Sequence, residues 1–459
     1  MTRSRIIARV FAVSLRTSLL ASCLLFVSAC DGSTRLRSAP AARTHSTPQG
    51  STTPEPTRDS ELEKVLEGIR ERHAVPGLAA AIVRAGAVEA RAVAGVRRLG
   101  APDRLQLADR FHIASCTKSM TATVAAMLVE EGRLGWQSRL VDVIPELSGT
   151  IRPEFRSATL ERLLGHAARY PAYTQFGPAR LEELVALRGS SSQQRLAFLT
   201  DVLASEPPNP GTGDAAYSNV GYTAAAAMME RATATAWEDL VTRRLFAPLG
   251  LTSVGFGWPA TARTPDQPRG HVRRDGRLVE QPLDDAYVLP VVLWPAGAVN
   301  ASIGDIARYA ADQLDGLRGR KALLREESYR RLHRTLGGET EGFTLGWGVR
   351  NDPDLGIVHY GAGSGGTFFV RITIVPDRDL AIVVASNSGE AAAATKEVIS
   401  TLLAAPARGG AHPDSVFAER NQLSVFEKRR TLIGRSAIAA KASAGVWRSG
   451  RGKQGVKTS

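Results

Sequence analysis

The stretch FHIASCTK, residues 111–118, predicts the start of a buried helix. Met120, Val124 and Leu128 follow at helical spacing and form one apolar face, which is typical of a helix packed in a core. Gly132 marks the expected end of this helix, because glycine tolerates the left-handed conformation that often ends helices. We therefore expect the fold to be organised around this helix and its first turn.

Ser115 and Lys118 are three residues apart, so they lie on one face of that helix. Serine is a weak nucleophile until a base takes its proton, and a lysine made neutral by burial and the helix dipole could be that base. The same helix N-terminus would place a backbone N–H near an oxyanion. A Ser-x-x-Lys pair also occurs as a helix cap beside a solvated lysine, so the rest of the chain must decide between these interpretations.

The 459-residue chain has a net charge of +13, and this charge is concentrated at its two ends. Residues 1–58 hold 8 basic and 2 acidic residues, and residues 406–459 hold 11 and 3, so the centre is nearly neutral. We expect residues 406–459 to be a flexible basic tail, which either contacts anionic lipid or wall polymer or is simply solvated. No basic groove with interleaved aromatic residues indicates nucleic-acid binding.

The motifs that usually accompany metals and nucleotides are missing from the sequence. The eight histidines form no HExxH or His-x-His pair, and there is no Walker or dinucleotide-binding loop. We therefore predict neither a metal nor another cofactor. Cys116 has no partner cysteine within the expected domain and is predicted to be a small core residue.

The N-terminus predicts an export signal over residues 1–29. Arginines precede an apolar run at 18–29 that is too short to span a bilayer but suits a signal peptide. The run ends in VSAC, which resembles a bacterial lipobox and implies lipidation of Cys30, followed by a disordered tether to residue 58. An ordinary signal peptide with a chance cysteine is the alternative. The first interpretation predicts a protein exported and anchored by lipid to a bacterial membrane, facing the periplasm or the cell exterior.

The order of predicted elements is two strands, then many helices, then strands and a closing helix. This order predicts an α/β fold in which an antiparallel-sheet domain with flanking helices is interrupted by an all-helical insertion. We expect the domain at 59–405, with a sheet part at about 59–105 and 290–405 and a helical part at about 106–289. Residues 256–292, rich in Pro and Arg, are expected to run over the surface.

Two further motifs follow Ser115-x-x-Lys118 along the chain, namely Tyr217-Ser218-Asn219 and His359-Tyr360-Gly361. The three in this order resemble the serine β-lactamase and penicillin-binding-protein superfamily. The pattern is most similar to its class C β-lactamase-like branch, which contains esterases and D-stereospecific peptidases. The resemblance covers roughly residues 59–405 and implies the fold described above.

The resemblance also implies roles for residues on the helical side of the site. Ser115 would attack a carbonyl and become acylated, and Lys118 and Tyr217 would share the role of base. Asn219 would hydrogen-bond the lysine or a substrate amide. The alternative for Tyr217 is a packed aromatic residue with a satisfied hydroxyl.

On the strand side, His359 and Gly361 would contact the substrate. His359 takes the place of a lysine that binds the substrate carboxylate in true β-lactamases, and a mostly neutral histidine argues against a dedicated β-lactamase. The N–H groups of Ser115 and Ala362 would form the oxyanion hole. The family's usual His-Thr-Ser-Gly is here His166-Ala167-Ala168-Arg169, where His166 is expected to be a structural hydrogen-bonding residue.

A second serine, Ser364 in AGSGG, resembles the serine of a nucleophile elbow, but a strand pair is predicted where the elbow needs a helix.

Together, the three motifs and the resemblance predict a serine hydrolase acting through an acyl-enzyme on a small ester, peptide or β-lactam. The alternative is a lipoprotein without catalytic activity that binds cell-wall peptide or β-lactam.

Overall fold

The computed structural model describes residues 57–211, 215–283 and 289–405. The predicted export signal, Cys30, nearly all of the tether and the basic tail lie outside these described residues. Among the helices within them, none combines the length and the apolar character needed to cross a membrane.

Twelve α-helices are described, several of them short. Their bounds are α1 Arg58–Arg72, α2 Thr117–Glu130, α3 Leu140–Val143, α4 Leu160–Leu164, α5 Pro178–Ala186, α6 Ser191–Ser205, α7 Asn219–Thr233, α8 Trp237–Val241, α9 Trp294–Gly297, α10 Ile303–Leu317, α11 Glu326–Leu332 and α12 Ala392–Ala404. A 3₁₀ turn over Ala114–Cys116, here called the serine turn, leads directly into α2.

Twelve strands are described in the same residues. Their bounds are β1 Gly77–Arg84, β2 Ala87–Gly95, β3 Arg110–His112, β4 Gly255–Phe256, β5 His271–Arg274, β6 Arg277–Glu280, β7 Val299–Ser302, β8 Gly342–Phe343, β9 Gly348–Asp352, β10 Gly356–Ser364, β11 Phe369–Val375 and β12 Leu380–Ser386.

Seven strands form one antiparallel sheet in the order β2-β1-β12-β11-β10-β9-β8. The sheet joins strands from both ends of the domain, because β1 pairs with β12. The predicted fold class, an antiparallel sheet with flanking helices, is therefore confirmed.

Helices cover both faces of this sheet, and β12 shows why. Its residues are buried without a break, as expected for a strand with apolar layers on both sides. Ala381 and Val383 belong to a large apolar cluster with α2 and α10, whereas Ile382 and Val384 belong to a second cluster with α1 and α12. The first cluster is the one that supports the serine turn.

The segment predicted as an all-helical insertion also contains short strands. Within it, β5 and β6 form a hairpin, and β3 and β4 pair with β7 from outside the segment in a small sheet of order β3-β7-β4. These strands are only two to four residues long, which is too short for the alternation of apolar and polar residues to reveal them. The small sheet leads straight into the serine turn and so fixes its position.

The prediction that residues 256–292 run over the surface is wrong for part of this segment. His271 is fully buried, and its Nδ1 lies 2.8 Å from the Asn387 carbonyl oxygen while Nε2 accepts from the Leu99 N–H at 3.1 Å. These bonds hold the start of the hairpin against the main sheet. Trp258 from the same segment lines the cavity described next.

Candidate active site

The serine turn is held in a strained conformation. Ala114, just before Ser115, has a φ of 45°, a left-handed conformation that is costly for a residue with a side chain. The turn is secured by the N–H of Ile113, which donates to the Val299 carbonyl oxygen of β7 at 2.9 Å. The small sheet therefore fixes where Ser115 lies.

Lys118 is buried, with 2% of its surface exposed, and its Nζ has three hydrogen-bond partners. Its Nζ donates to Ser115 Oγ at 3.2 Å, to Asn219 Oδ1 at 2.7 Å and to the Ala296 carbonyl oxygen at 2.8 Å. The two oxygens from Asn219 and Ala296 orient the lysine towards the serine.

Tyr217 contacts the same hydroxyl. Its Oη donates to Ser115 Oγ at 2.8 Å, and Lys118 Nζ lies 4.8 Å from its ring centroid. The ring packs against His166, with 4.3 Å between the centroids. The structure therefore brings Ser115, Lys118 and Tyr217 into mutual contact.

His166 supports this tyrosine and is structural, as expected. Burial and then the charge of Lys118 lower its pKa to about 3, so the ring is neutral at pH 7. Its Nδ1 accepts from the Ser218 N–H at 3.2 Å, which fixes the backbone next to Tyr217.

Asn219 contacts the lysine and the neighbouring loop. Its Oδ1 accepts from Lys118, and its Nδ2 donates to the Tyr173 carbonyl oxygen at 2.7 Å. From the sequence, Asn219 was expected to hydrogen-bond either the lysine or a substrate amide. The bond to the lysine is present in this structure.

Strand β10 forms the other wall of the site. Gly363 is the glycine that lies against the serine turn, two residues after Gly361, which was expected to contact the substrate. A Cβ on Gly363 would lie 2.1 Å from the Ile113 carbonyl oxygen and 2.9 Å from the Ser115 nitrogen. A Cβ on Gly361 would lie 3.5 Å from Cys116 Sγ and Trp347, which is ordinary contact. Gly363, not Gly361, is therefore level with Ser115.

The structure places His359 away from the candidate nucleophile Ser115. β9 pairs with β10 as far as Tyr360, so His359 lies inside the paired part of the strand, opposite Val349. Its ring packs against His333 with 4.6 Å between centroids, and only 6% of the residue is exposed. Burial lowers its pKa to about 4, so the ring carries no charge at pH 7 with which to hold a carboxylate.

A cavity of about 300 Å³ opens beside Ser115. Among the described residues that line it, none is Lys, Arg, Asp or Glu, and most are apolar, aromatic or glycine. They are His112, Ala114, Ser115, Tyr173, Thr174, Gln175, Phe176, Asn219, Trp258, Leu289, Leu293, Ala296, Gly297, Ser364 and Gly365. The undescribed segments 212–214 and 284–288 contain no Lys, Arg or His.

Several of these lining residues were missed by reasoning from the sequence. No spacing rule connects Trp258 or Phe176 with the serine turn, because the fold alone brings them together. The sequence does contain a sign that Gly361 is not the only candidate for this contact, because glycine recurs at the alternate positions 361, 363 and 365. Across the described residues, no group of three or more His, Cys, Asp or Glu side chains could hold a metal ion.

The model of the beta-lactamase family matches residues 62–405. This chain belongs to that family. Family members are serine hydrolases, so at the level of reaction class the chain is of the serine-hydrolase type, in keeping with Ser115 and its two neighbours.

Several known proteins are similar to this chain over about three quarters of its length. Penicillin-binding protein 4 of Amycolatopsis lactamdurans is 26% identical over 348 residues, which are 74% of this chain and 87% of that protein. The octameric penicillin-binding protein homologue from Pyrococcus abyssi has a TM-score of 0.61 at 21% identity, covering 75% of this chain and 77% of that one. A D-stereospecific amidohydrolase from Streptomyces sp. has a TM-score of 0.59 at 21% identity, covering 76% and 99%. The two structural likenesses show a shared fold.

Proposed function

We propose that this protein hydrolyses a neutral ester or amide through an acyl-enzyme on Ser115. One observation carries the proposal: Ser115 Oγ is hydrogen-bonded to both Lys118 Nζ and Tyr217 Oη, at 3.2 Å and 2.8 Å. Two groups that can exchange protons thus contact one hydroxyl, which is the arrangement of an activated nucleophile.

The reaction would proceed in two halves. The Ser115 oxygen attacks the carbonyl carbon while its proton passes to the one of Tyr217 and Lys118 that is deprotonated. The bond to the leaving alcohol or amine then breaks, and that group takes up the proton. Water attacks the acyl-enzyme in the second half, and the proton it loses returns to Ser115.

We assign the oxyanion donors to the N–H groups of Ser115 and Ser364. The resemblance implies Ala362 as the second donor, but Gly363 is the glycine that touches the serine turn. The residue that follows it is Ser364, which lines the cavity together with Ser115. Two fixed main-chain donors near the attacked carbonyl would stabilise the charge that develops there.

The absence of a cation among the described residues that line the cavity supports a neutral acyl group. A substrate carboxylate placed here would lose its hydration without gaining a cation, which is costly. Lys118 Nζ, which contacts Ser115, already has three hydrogen-bond partners. Carboxylate-bearing β-lactams and peptides are therefore expected to be poorer substrates than neutral esters or amides.

The test is hydrolysis of nitrophenyl butyrate and nitrophenyl hemisuccinate by the parent, Ser115→Ala and the exposed control Ser205→Ala. We expect turnover of the butyrate by the parent and the control, loss in Ser115→Ala, and at least about tenfold slower turnover of the charged ester. A folded parent that turns over neither ester contradicts the hydrolase proposal and favours a protein that only binds its ligand. Equal rates on both esters contradict the neutral acyl group.

We also propose that the protein is exported and anchored through a lipid on Cys30, on the strength of the VSAC sequence at the end of the apolar run. Radioactive palmitate supplied to expressing bacteria should label the full chain and leave Cys30→Ala unlabelled. Equal labelling of both proteins, or of neither, contradicts the lipid anchor.

A further inference from the structure

His112 is a buried polar residue of the cavity for which the reaction described above has no use. It is the last residue of β3, three residues before Ser115, and only 1% of its surface is exposed. Its ring packs against Trp258 with 4.4 Å between centroids and lines the same cavity as Ser115.

Neither ring nitrogen of His112 has a hydrogen-bond partner among the described residues. Burial lowers the pKa of the ring to about 3, and the nearby Gly297 carbonyl oxygen opposes this effect without reaching hydrogen-bond geometry. The imidazole is therefore neutral, with one N–H donor and one acceptor nitrogen. A carbonyl oxygen such as that of Gly297 can accept a hydrogen bond only from the ring N–H. The other ring nitrogen, which is the acceptor, is therefore unsatisfied among the described residues whether or not that bond forms.

Gly365 packs closely against this ring. A Cβ on Gly365 would lie 3.0 Å from His112 Nδ1 and 3.0 Å from the Trp258 ring. Any larger residue at 365 would therefore crowd the edge of the imidazole. An unsatisfied buried acceptor costs about 1–3 kcal/mol, which a donor from a bound molecule would recover.

We propose that His112 is a specificity-determining residue that accepts a hydrogen bond from a neutral N–H or O–H group in the acyl part of the substrate. This inference rests on the proposed acyl-enzyme reaction at Ser115. It narrows the substrate class from any neutral ester or amide to those whose acyl group carries a donor, such as acylamino or hydroxy acids. A plain alkyl chain would leave the acceptor of His112 buried and unpaired.

The test compares two nitrophenyl esters that differ only in this donor. The N-acetylglycyl ester has an N–H where the 4-oxopentanoyl ester has a CH₂ group, and otherwise the two acyl groups have the same shape. The parent, His112→Phe and the distant surface variant His73→Gln are compared by the ratio of kcat/KM for the two esters. Intrinsic reactivity cancels when this ratio is compared between proteins.

We expect the ratio in His112→Phe to fall at least about fivefold below that of the parent, the lower end of what an unsatisfied acceptor costs. His73→Gln should keep the parent ratio. A His112→Phe protein that loses activity on both esters equally, or keeps the parent ratio, overturns the proposal, because a structural role changes both rates together. If His112→Phe does not fold, Gly365→Ala should lower the ratio with the imidazole in place, and an unchanged ratio there also overturns it.

The outcome is separable from that of the proposed function. A folded parent without turnover, or turnover that survives in Ser115→Ala, contradicts the acyl-enzyme itself. Turnover that depends on Ser115 with a ratio that does not depend on His112 contradicts only the role of His112.

Discussion

The two walls of the candidate active site are built in different ways. The helical wall consists of Ser115, Lys118, Tyr217 and Asn219, polar side chains that are hydrogen-bonded to one another. The strand wall is the end of β10, where backbone and glycine replace side chains, and its Gly363 is in closest contact with the serine turn. Chemistry on the first wall depends on side-chain identity, whereas chemistry on the second depends on backbone position.

This difference determines how mutations should act on each wall. Replacing a side chain of the helical wall removes a proton-transferring group or leaves its partners unpaired. Adding a side chain to the strand wall moves the backbone and its N–H groups.

On the helical wall, Lys118→Met should lower kcat by about 10³-fold or more, because it removes a proton-transferring group and leaves Asn219 Oδ1 unpaired. Steady-state kinetics with nitrophenyl butyrate would measure the loss, and the exposed Lys64→Met provides the matched control. A Lys118→Met protein within about tenfold of the parent would show that Tyr217 activates the serine alone.

On the strand wall, Gly363→Ala should lower kcat/KM by about 10²-fold, the usual effect of losing one oxyanion donor. Its new methyl group would collide with the Ile113 carbonyl oxygen and the Ser115 nitrogen, both of them backbone atoms. Gly361→Ala is the matched control, because its methyl group would make only ordinary contacts. The same ester assay, with melting temperatures for both variants, decides between the two positions. A larger loss in Gly361→Ala than in Gly363→Ala would instead favour Gly361, the glycine expected from the sequence to contact the substrate.

The sequence was sufficient for the helical wall because its motifs are short and local. Ser115 and Lys118 are one helical turn apart, and Tyr217 and Asn219 flank the residue that caps α7. The sequence was also sufficient for the central strands of the main sheet. β12 is a continuous apolar strand, and β11 begins with alternating buried and partly buried residues. These features follow from residues close together in the chain.

The sequence was not sufficient for the strand wall or the cavity. Gly361, Gly363 and Gly365 are equivalent by alternation, and only the close approach of Ile113 distinguishes Gly363. The His-x-Gly pattern pointed to His359, but pairing with β9 covers that part of β10. His112 and Trp258 meet because the small sheet and the 256–292 segment pack together, and no local pattern encodes this contact.

The smallest effect concerns stability and the position of His359. Its pKa of about 4 in the folded state lies below the ordinary value of about 6.5, so the unfolded chain binds a proton that the folded protein does not. Stability from this residue is complete above about pH 6.5 and is lost as the pH falls towards 4, by about 2 kcal/mol at pH 5. His333, the ring that faces it, has its pKa lowered by burial and then by His359, so it acts in the same direction.

Urea unfolding at pH 7.5 and pH 5 would measure this contribution. The decrease in the free energy of unfolding should be about 2 kcal/mol smaller in His359→Gln than in the parent. An equal decrease in both proteins would mean that His359 is open to solvent, as a residue that binds substrate would be, and would break the distinction drawn between the two ends of β10.

The most direct test of the account is the mass of the protein during turnover of a nitrophenyl ester. Rapid acid quenching followed by intact-mass measurement should show one added acyl group, and peptide mapping should place it on Ser115. Ser115→Ala should show no adduct, whereas Ser364→Ala should still be acylated at Ser115. An adduct on Ser364, or turnover by the parent without an adduct on Ser115 under conditions where deacylation is slowed, would contradict the central claim.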